Sequence, residues 1–274
     1  MAPTFSFLGV AGGVGAVVAI VSATLATGCD TGGSEQAAAP ASVPSAAPAS
    51  SPTTAPPSAE PAPTASATPK PTASPKPQKL KAGVKGPRVL ALQQRLSALG
   101  YWNGKADGTF GGQTQQAVYA LQKAAGLGRD GVLGPKTRQA LEQGVRPKAR
   151  STSGRVVEID LKRQLLLLVE NGTVTQVFNT STGSMDYYQH DGQTHLAKTP
   201  RGTFKVGRQI DGWRHAPLGE LWRPKYFNGG IAVHGAPSVP PYPASHGCAR
   251  LSISAMNWVW TNNAIPLKTK VWVY

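Results

Sequence analysis

The run "AAAPASVPSAAPASSPTTAPPSAEPAPTASATPKPTASPKP", inside Asp30–Lys79, limits more than any other feature what this 274-residue chain can fold into. Its residues are Ala, Pro, Ser and Thr, with few apolar side chains larger than Ala. Such a segment cannot bury enough surface to offset the entropy of ordering, so it is expected to stay extended and disordered. In polyproline geometry, at about 3 Å per residue, it would reach on the order of 100 Å. A glycosylated stalk would serve as the same spacer. The run separates a leader over 1–29 and a linker over 30–82 from two segments able to fold, 83–144 and 154–274.

The leader is almost wholly apolar or small from Phe7 to Thr27 and ends in "LATGC", with Cys29 last. An N-terminal apolar stretch closed by small residues reads as an export signal. The cysteine after those small residues resembles the lipobox of bacterial lipoproteins, which implies lipidation of Cys29 and a membrane tether. An uncleaved anchor and a signal peptide with an incidental cysteine are the other two readings. All three put the remainder of the chain outside the cytoplasmic membrane, in the cell envelope. The chain has only two cysteines. A lipidated Cys29 leaves Cys248 without an intramolecular partner, and a leftover thiol in an exported protein is either inert packing or reactive. The formal net charge of +15 favours anionic partners. No block of basic residues and no aromatic-rich nucleic-acid motif accompanies it, so attraction to an anionic envelope accounts for the charge and no nucleic-acid partner is expected.

The segment 83–144 contains an internal echo: "DGTFGGQT" at Asp107–Thr114 returns as "DGVLGPKT" at Asp130–Thr137, 23 residues on. Each unit sets an Asp-Gly turn, places one apolar residue and then caps a helix with its Gly-x-x-Thr segment. Val89, Leu92, Leu96 and Leu99 form one apolar stripe at helical period, and Ala117, Val118, Leu121 and Ala125 another. The whole stretch "VLALQQRLSALGYWNGKADGTFGGQTQQAVYALQKAAGLGRDGVLGPKTRQAL" resembles the three-helix peptidoglycan-binding module appended to wall enzymes. That resemblance implies wall binding without identifying the binding residues.

The segment 154–274 reads mostly as strand. "RVVEIDL", "QLLLLVE" and "TVTQVFNT" are split by "KR" and "NG" turns, as in a β-meander; "TPRGTFKVGR", "GGIAVHG" and "TKVWVY" add further strands. Asp211 and His215 fall in a stretch that periodicity does not assign. "SAMNWVWTNNA" is the one helix expected, with Ser254 as N-cap. About 120 residues suffice for an independent core.

The loop "HGAPSVPPYPASHGCARLS", His234–Ser252, is too proline-rich for a helix and holds two histidines and a cysteine. A thiol becomes a good nucleophile when a neighbouring cation or oriented dipoles favour the thiolate. Residues two apart in a turn diverge, so His246 is poorly placed for Cys248. His234 closes an apolar strand, and a loop returning past that strand end brings the sulfur beside it. His234 is therefore expected to be the general base and ion-pair partner. The backbone N–H groups of His246, Gly247 and Cys248 are expected to face a developing oxyanion. Ser245 and Arg250 are assigned to substrate binding, Arg250 through a bidentate carboxylate contact. Plain packing of a cysteine beside glycine is one alternative. Zinc held by His234, His246 and Cys248 is another, although C-x-x-C and H-x-x-x-H spacings are absent and no fourth ligand is evident.

His-Gly at 234–235, ten residues, then Ser-His-Gly-Cys at 245–248, a small apolar residue and Arg250 together resemble the signature of L,D-transpeptidases of the YkuD type. "TPRGTF" at Thr199–Phe204 fits the strand that precedes this core. The resemblance implies a mainly β catalytic domain, sandwich- or barrel-like, beside the small all-α three-helix domain. It implies Cys248 as acyl-enzyme nucleophile and His234 as base, oriented by the Gly235 carbonyl, with the oxyanion hole at His246–Cys248. A lid tyrosine is found in some members, and Tyr187, Tyr188 and Tyr226 are candidates. The implied reaction joins peptidoglycan stem peptides in 3→3 crosslinks, with no metal and no organic cofactor, and carbapenems as covalent inhibitors. An L,D-carboxypeptidase and a catalytically inert wall anchor are the competing readings.

Overall fold

The computed structural model describes residues 79–274. The leader, Cys29 and most of the proline-rich linker lie outside the described residues. Residues 79–82, grouped with the linker on composition, already belong to the folded part: Leu80 is buried and pairs with Leu133 in an isolated bridge. Among the described residues no helix is long and apolar enough to cross a membrane.

Three helices come first, α1 (Pro87–Ala98), α2 (Gly112–Ala124) and α3 (Pro135–Glu142). The expected stripes face inward: Val89, Leu92, Leu96, Leu99, Ala117, Val118 and Leu121 are buried, and Ala125 packs against them. Helices α2 and α3 do start from the glycine of each repeated unit, Gly111 and Gly134, in extended backbone. The threonine of each unit does something other than cap. Thr114 accepts a hydrogen bond from the buried Gln93, which also donates to Asp107 and accepts from the Asp107 and Gly108 N–H groups. Thr137 receives the same from Gln122, which also binds Asp130 and the Gly131 N–H. The sequence echo is thus one glutamine-centred turn used twice, with every buried amide atom of the two hubs engaged.

Twelve strands and one helix follow. β1 (Arg155–Asp160), β2 (Leu165–Glu170) and β3 (Thr173–Asn179) form the expected meander. β4 (Tyr187–His190) and β5 (Gln193–Leu196) make a separate hairpin. β6 (Gly202–Lys205), β7 (Arg208–Gln209), β8 (Trp213–Ala216), β9 (Gly219–Asn228), β10 (Ile231–Ala236), β11 (Ala249–Ser252), α4 (Ile253–Thr261) and β12 (Lys270–Val273) complete the chain. One sheet has the order β3-β2-β1-β12-β6, and the second β11-β10-β9-β7 with β8 on β9. Their inner faces and α4 close on a core that includes Val157, Leu166, Leu168, Val233, Leu251, Met256 and Val271. Asp211 and His215, unassigned by pattern, belong to the β8–β9 region, where Asp211 pairs with Arg223 and His215 with Glu220 across the hairpin. Helix α4 is capped by Ser252, not Ser254. Ser252 is the last, extended residue of β11, and its hydroxyl accepts from the Ala255 N–H, whereas Ser254 already lies inside the first turn.

Besides this core between its sheets, the strand segment shares a second one with the helices. Leu165, Leu167, Val169, Val174 and Val177 project from the other face of the first sheet into the cluster built by α1–α3. Tyr101 also pairs with Val177 in a parallel bridge, fixed by hydrogen bonds from Trp102 N to Val177 O (3.1 Å) and from Val177 N to Gly100 O (2.8 Å). This explains "LLLLV" in β2: odd and even positions are both buried, as in strands covered on two faces.

Candidate active site

The site grows out of the one feature that makes β10 and β11 unusual neighbours. They are parallel, with Val233 opposite Ala249 and His234 opposite Arg250. Parallel neighbours require a long crossover, and the proline-rich loop 237–248 is that crossover. Cys248 ends it, two residues before Arg250 and therefore on the same face as Arg250, beside the strand position that carries His234. The sulfur is placed by backbone: the Ala232 N–H points at Sγ from 3.4 Å, and Gly230 O lies 3.8 Å away.

The two glycines of the motif have separate physical reasons. Gly247 sits at φ +148°, and a Cβ there would meet Lys198 O at 3.0 Å. A Cβ on Gly235 would meet Trp222 Cδ1 at 2.8 Å and Met256 Cβ at 3.1 Å, because β10 is wedged between β9 and α4. The turn itself is tied by Ser245, whose hydroxyl donates to Cys248 O (2.6 Å) and accepts from the Gly247 N–H (3.0 Å). Thr199 closes it from outside, donating to Gly247 O (2.6 Å) while accepting from the Gly183 N–H.

These bonds bear on two expectations. Ser245 is buried and spends its hydroxyl within the turn, which gives it a part in shaping the site. The Gly247 N–H is also committed to that hydroxyl, so it is not free for an oxyanion. Among the described residues, the N–H groups of His246 and Cys248 have no acceptor and are the two donors left in the turn.

His234 is buried, and its Nδ1 lies 2.9 Å from Gly235 O. A carbonyl only accepts, so Nδ1 carries the proton and Nε2 presents its lone pair. Burial pushes the imidazole down to about 4, against the opposing effect of the Gly235 carbonyl, and the Arg250 charge adds a smaller push in the same direction as burial. Burial pushes the Cys248 thiol up, with the Ala232 N–H and Arg250 pulling the other way. Both groups are therefore neutral at rest, and among the described residues no hydrogen bond joins the ring to the sulfur. Burial thus works against the expected thiolate–imidazolium pair at both partners.

Thiol and imidazole open onto one cavity of about 720 Å³, which Ser245, His246, Gly247 and Arg250 also line. Its walls are two hairpins that pattern reading left out, β4–β5 with Tyr188, His190 and Leu196, and β8–β9 with Ala216–Leu221. Of the three tyrosine candidates only Tyr188 lines it, lying edge-on to His246 at 4.7 Å and stacked on His195 at 5.5 Å. Tyr187 is exposed, and Tyr226 is buried under Arg208.

Residues 154–273 match the family model described as "L,D-transpeptidase catalytic domain", and residues 85–141 match "Putative peptidoglycan binding domain". A solved L,D-transpeptidase of Xylanimonas cellulosilytica (residues 123–326) is 56% identical, covering 73% of this chain and 100% of that one, with a TM-score of 0.71. The chain belongs to the L,D-transpeptidase family. The N-acetylmuramoyl-L-alanine amidase CwlL of Bacillus licheniformis is 47% identical over 79 residues, which are 28% of this chain and 22% of that protein. A spore cortex-lytic enzyme of Bacillus subtilis is 45% identical over 65 residues, 23% of this chain and 21% of that enzyme. The chain thus spans less than a third of the curated relatives it matches, and the amidase likeness is confined to the peptidoglycan-binding region. The catalytic-domain match is to a family of acyltransferase-type cell-wall enzymes.

Proposed function

We propose that this transpeptidase forms 3→3 crosslinks between peptidoglycan stem peptides through an acyl-enzyme on Cys248, with His234 as base. One observation carries the reading: the only described cysteine ends a parallel crossover at a cavity wall, beside a buried, neutral imidazole whose Nε2 is unprotonated. The sulfur attacks the carbonyl of the L-centre of the diamino acid at stem position three as its proton passes to Nε2. The carbonyl oxygen becomes an oxyanion, which the His246 and Cys248 N–H groups stabilise. The C–N bond to the terminal D-Ala breaks, and that amine takes the proton from the imidazolium. The amine of a neighbouring stem then attacks the thioester and gives its proton to His234. The new amide forms and the thiol is restored. Water in place of the amine makes the same site an L,D-carboxypeptidase.

A neutral resting pair fits this sequence, since the proton moves as the sulfur attacks and a catalytic contact tightens when substrate fills the cavity. Arg250 supplies the cation that would hold a stem carboxylate, and Lys198 adds a second at the cavity wall. No step calls for a metal or cofactor. Wall binding by the helical module, export, and a lipid tether at Cys29 complete the proposal. The supports for these are the sequence of the leader and the peptidoglycan-binding match.

Intact mass spectrometry with a carbapenem tests the nucleophile. The wild-type chain is expected to gain one adduct and to make stem-peptide dimers, and Cys248→Ala to do neither. An adduct or crosslinking by the Cys248→Ala variant would remove Cys248 from the mechanism.

A further inference from the structure

We infer that Lys123, on helix α2, is a positioning residue for the Cys248 turn, making the helical module a working part of the catalytic site. The inference rests on the proposed role of Cys248.

Lys123 is 2% exposed, although it sits on a helix that sequence reading assigns to a separate wall-binding module. Its side-chain nitrogen leaves that module and enters the strand segment. There it donates to Gln164 O (2.9 Å), to Thr180 O (3.0 Å) and to the Asn179 side-chain oxygen. Three oxygens converge on the nitrogen. They take up its N–H donors, while burial, and then the Arg129 charge, lower its pKa to about 6.

The residues it holds form a splint, Asn179–Ser184, and the far side of that splint is bonded to the active-site loop. Thr180 Oγ1 donates to Arg250 O (2.8 Å), and Ser181 O accepts from the Arg250 N–H (3.0 Å). Thr182 O accepts from the N–H groups of Ala244 and Ser245, and the Ser184 N–H donates to Ser245 O. Both ends of the turn that carries Cys248 are therefore pinned to the segment Lys123 anchors. Two other residues of the helical module reach the same crossover directly. Gln116 Nε2 donates to Val239 O (3.1 Å), where Asn179 Nδ2 also donates (3.2 Å), and Arg129 Nη1 donates to Pro241 O (2.9 Å).

A buried amine spanning two modules has a purely structural explanation, namely that it glues them together. That explanation requires nothing of the active site. Positioning requires that the loss of Lys123 change the chemistry of Cys248 in protein that is still folded.

The experiment uses the full chain with Lys123→Met, Thr180→Val and the double variant, at a temperature below every melting transition. Two rates are read: carbapenem acylation, with its saturable affinity separated from its rate constant, and iodoacetamide alkylation of the Cys248 peptide by mass spectrometry. Lys123→Met is expected to slow the acylation rate constant at least about tenfold with affinity little changed, since a misplacement of about 1 Å can cost 10²-fold. The effect should be non-additive with Thr180→Val, which removes one of the two bonds between the splint and Arg250 while leaving Lys123's own bonds intact. Wild-type rates in a folded Lys123→Met protein, or additive effects, would overturn the inference. If Lys123→Met does not fold, the pair Gln116→Leu and Arg129→Met decides: slower acylation supports positioning and unchanged rates refute it. Should the wild-type chain not react with the carbapenem, the proposed function fails on its own, and the iodoacetamide rates still report whether α2 sets the Cys248 turn.

Discussion

One serine hydroxyl ties the reactive turn to itself. Ser245 bonds to the Cys248 carbonyl and to the Gly247 N–H, and Gly247 is the residue that tolerates φ +148°. The motif Ser-His-Gly-Cys is therefore half geometry and half chemistry, and only the chemical half was legible from residue types. Cysteine, histidine and their recurring spacing could be read. That one hydroxyl would be consumed internally could not, because hydrogen-bond partners depend on the returning chain. Nor did residue types show that the pair rests neutral, since burial is a property of the fold. This has a consequence that can be measured. With the thiol held above its usual range, iodoacetamide alkylation of Cys248 should climb roughly tenfold per pH unit through neutrality. At fixed pH, Arg250→Gln should be slower, having lost the cation that favours the thiolate. A rate already flat below pH 7 would mean a preformed ion pair. For His234 the pH dependence falls on stability and runs toward acid. The unfolded chain takes up the proton near 6.5 and the folded chain only near about 4. Stability from this group is thus whole above 6.5 and lost as pH falls toward 4. His234→Gln should flatten the difference in urea midpoint across that window, and an unchanged slope would place the titration elsewhere.

At the level of elements, legibility followed burial pattern. β1, β2, β3, β10 and β12 and the helical stripes announce themselves by apolar periodicity, and each forms where expected. β4, β5 and β8 do not, because they stand up as cavity walls with mixed polar and aromatic faces and bury none of their residues fully. These are also the elements that shape substrate access, so the specificity of the site was the least readable part. β2 shows the opposite failure. Its unbroken "LLLLV" reads as an ordinary buried strand, and the second covering layer cannot be told from the run alone. Leu166 faces the inter-sheet core and Leu167 the helices, both 0–1% exposed. Leu166→Ala and Leu167→Ala should therefore destabilise the chain comparably, by about 2–5 kcal/mol in urea unfolding. A negligible cost at Leu167 would mean that the helices do not pack on the sheet in solution.

Across the whole molecule, the distinction between catalytic domain and binding module holds for sequence families and fails for the core. One continuous apolar cluster includes Leu96, Leu121 and Leu133 from the helical side and Leu165, Leu167 and Val177 from the sheet. Polar bonds from Gln116, Lys123 and Arg129 cross the same boundary. Inter-domain contacts that are small and polar leave domains free to move, whereas large apolar ones do not. Shared burial of this kind also makes unfolding cooperative, because neither side can lose its structure without exposing the other's core. Urea unfolding of the full chain should therefore give one transition, with far-UV circular dichroism and tryptophan fluorescence superimposed. Two separated transitions would show the modules to be energetically independent. A chain truncated to 154–274 makes the sharper comparison. It leaves Leu165, Leu167, Val169, Val174 and Val177 uncovered on one sheet face, a contiguous apolar patch that favours association. That fragment should aggregate or melt well below the full chain and should acylate slowly if at all. A soluble, fully active fragment would return the helices to the role of a detachable wall anchor.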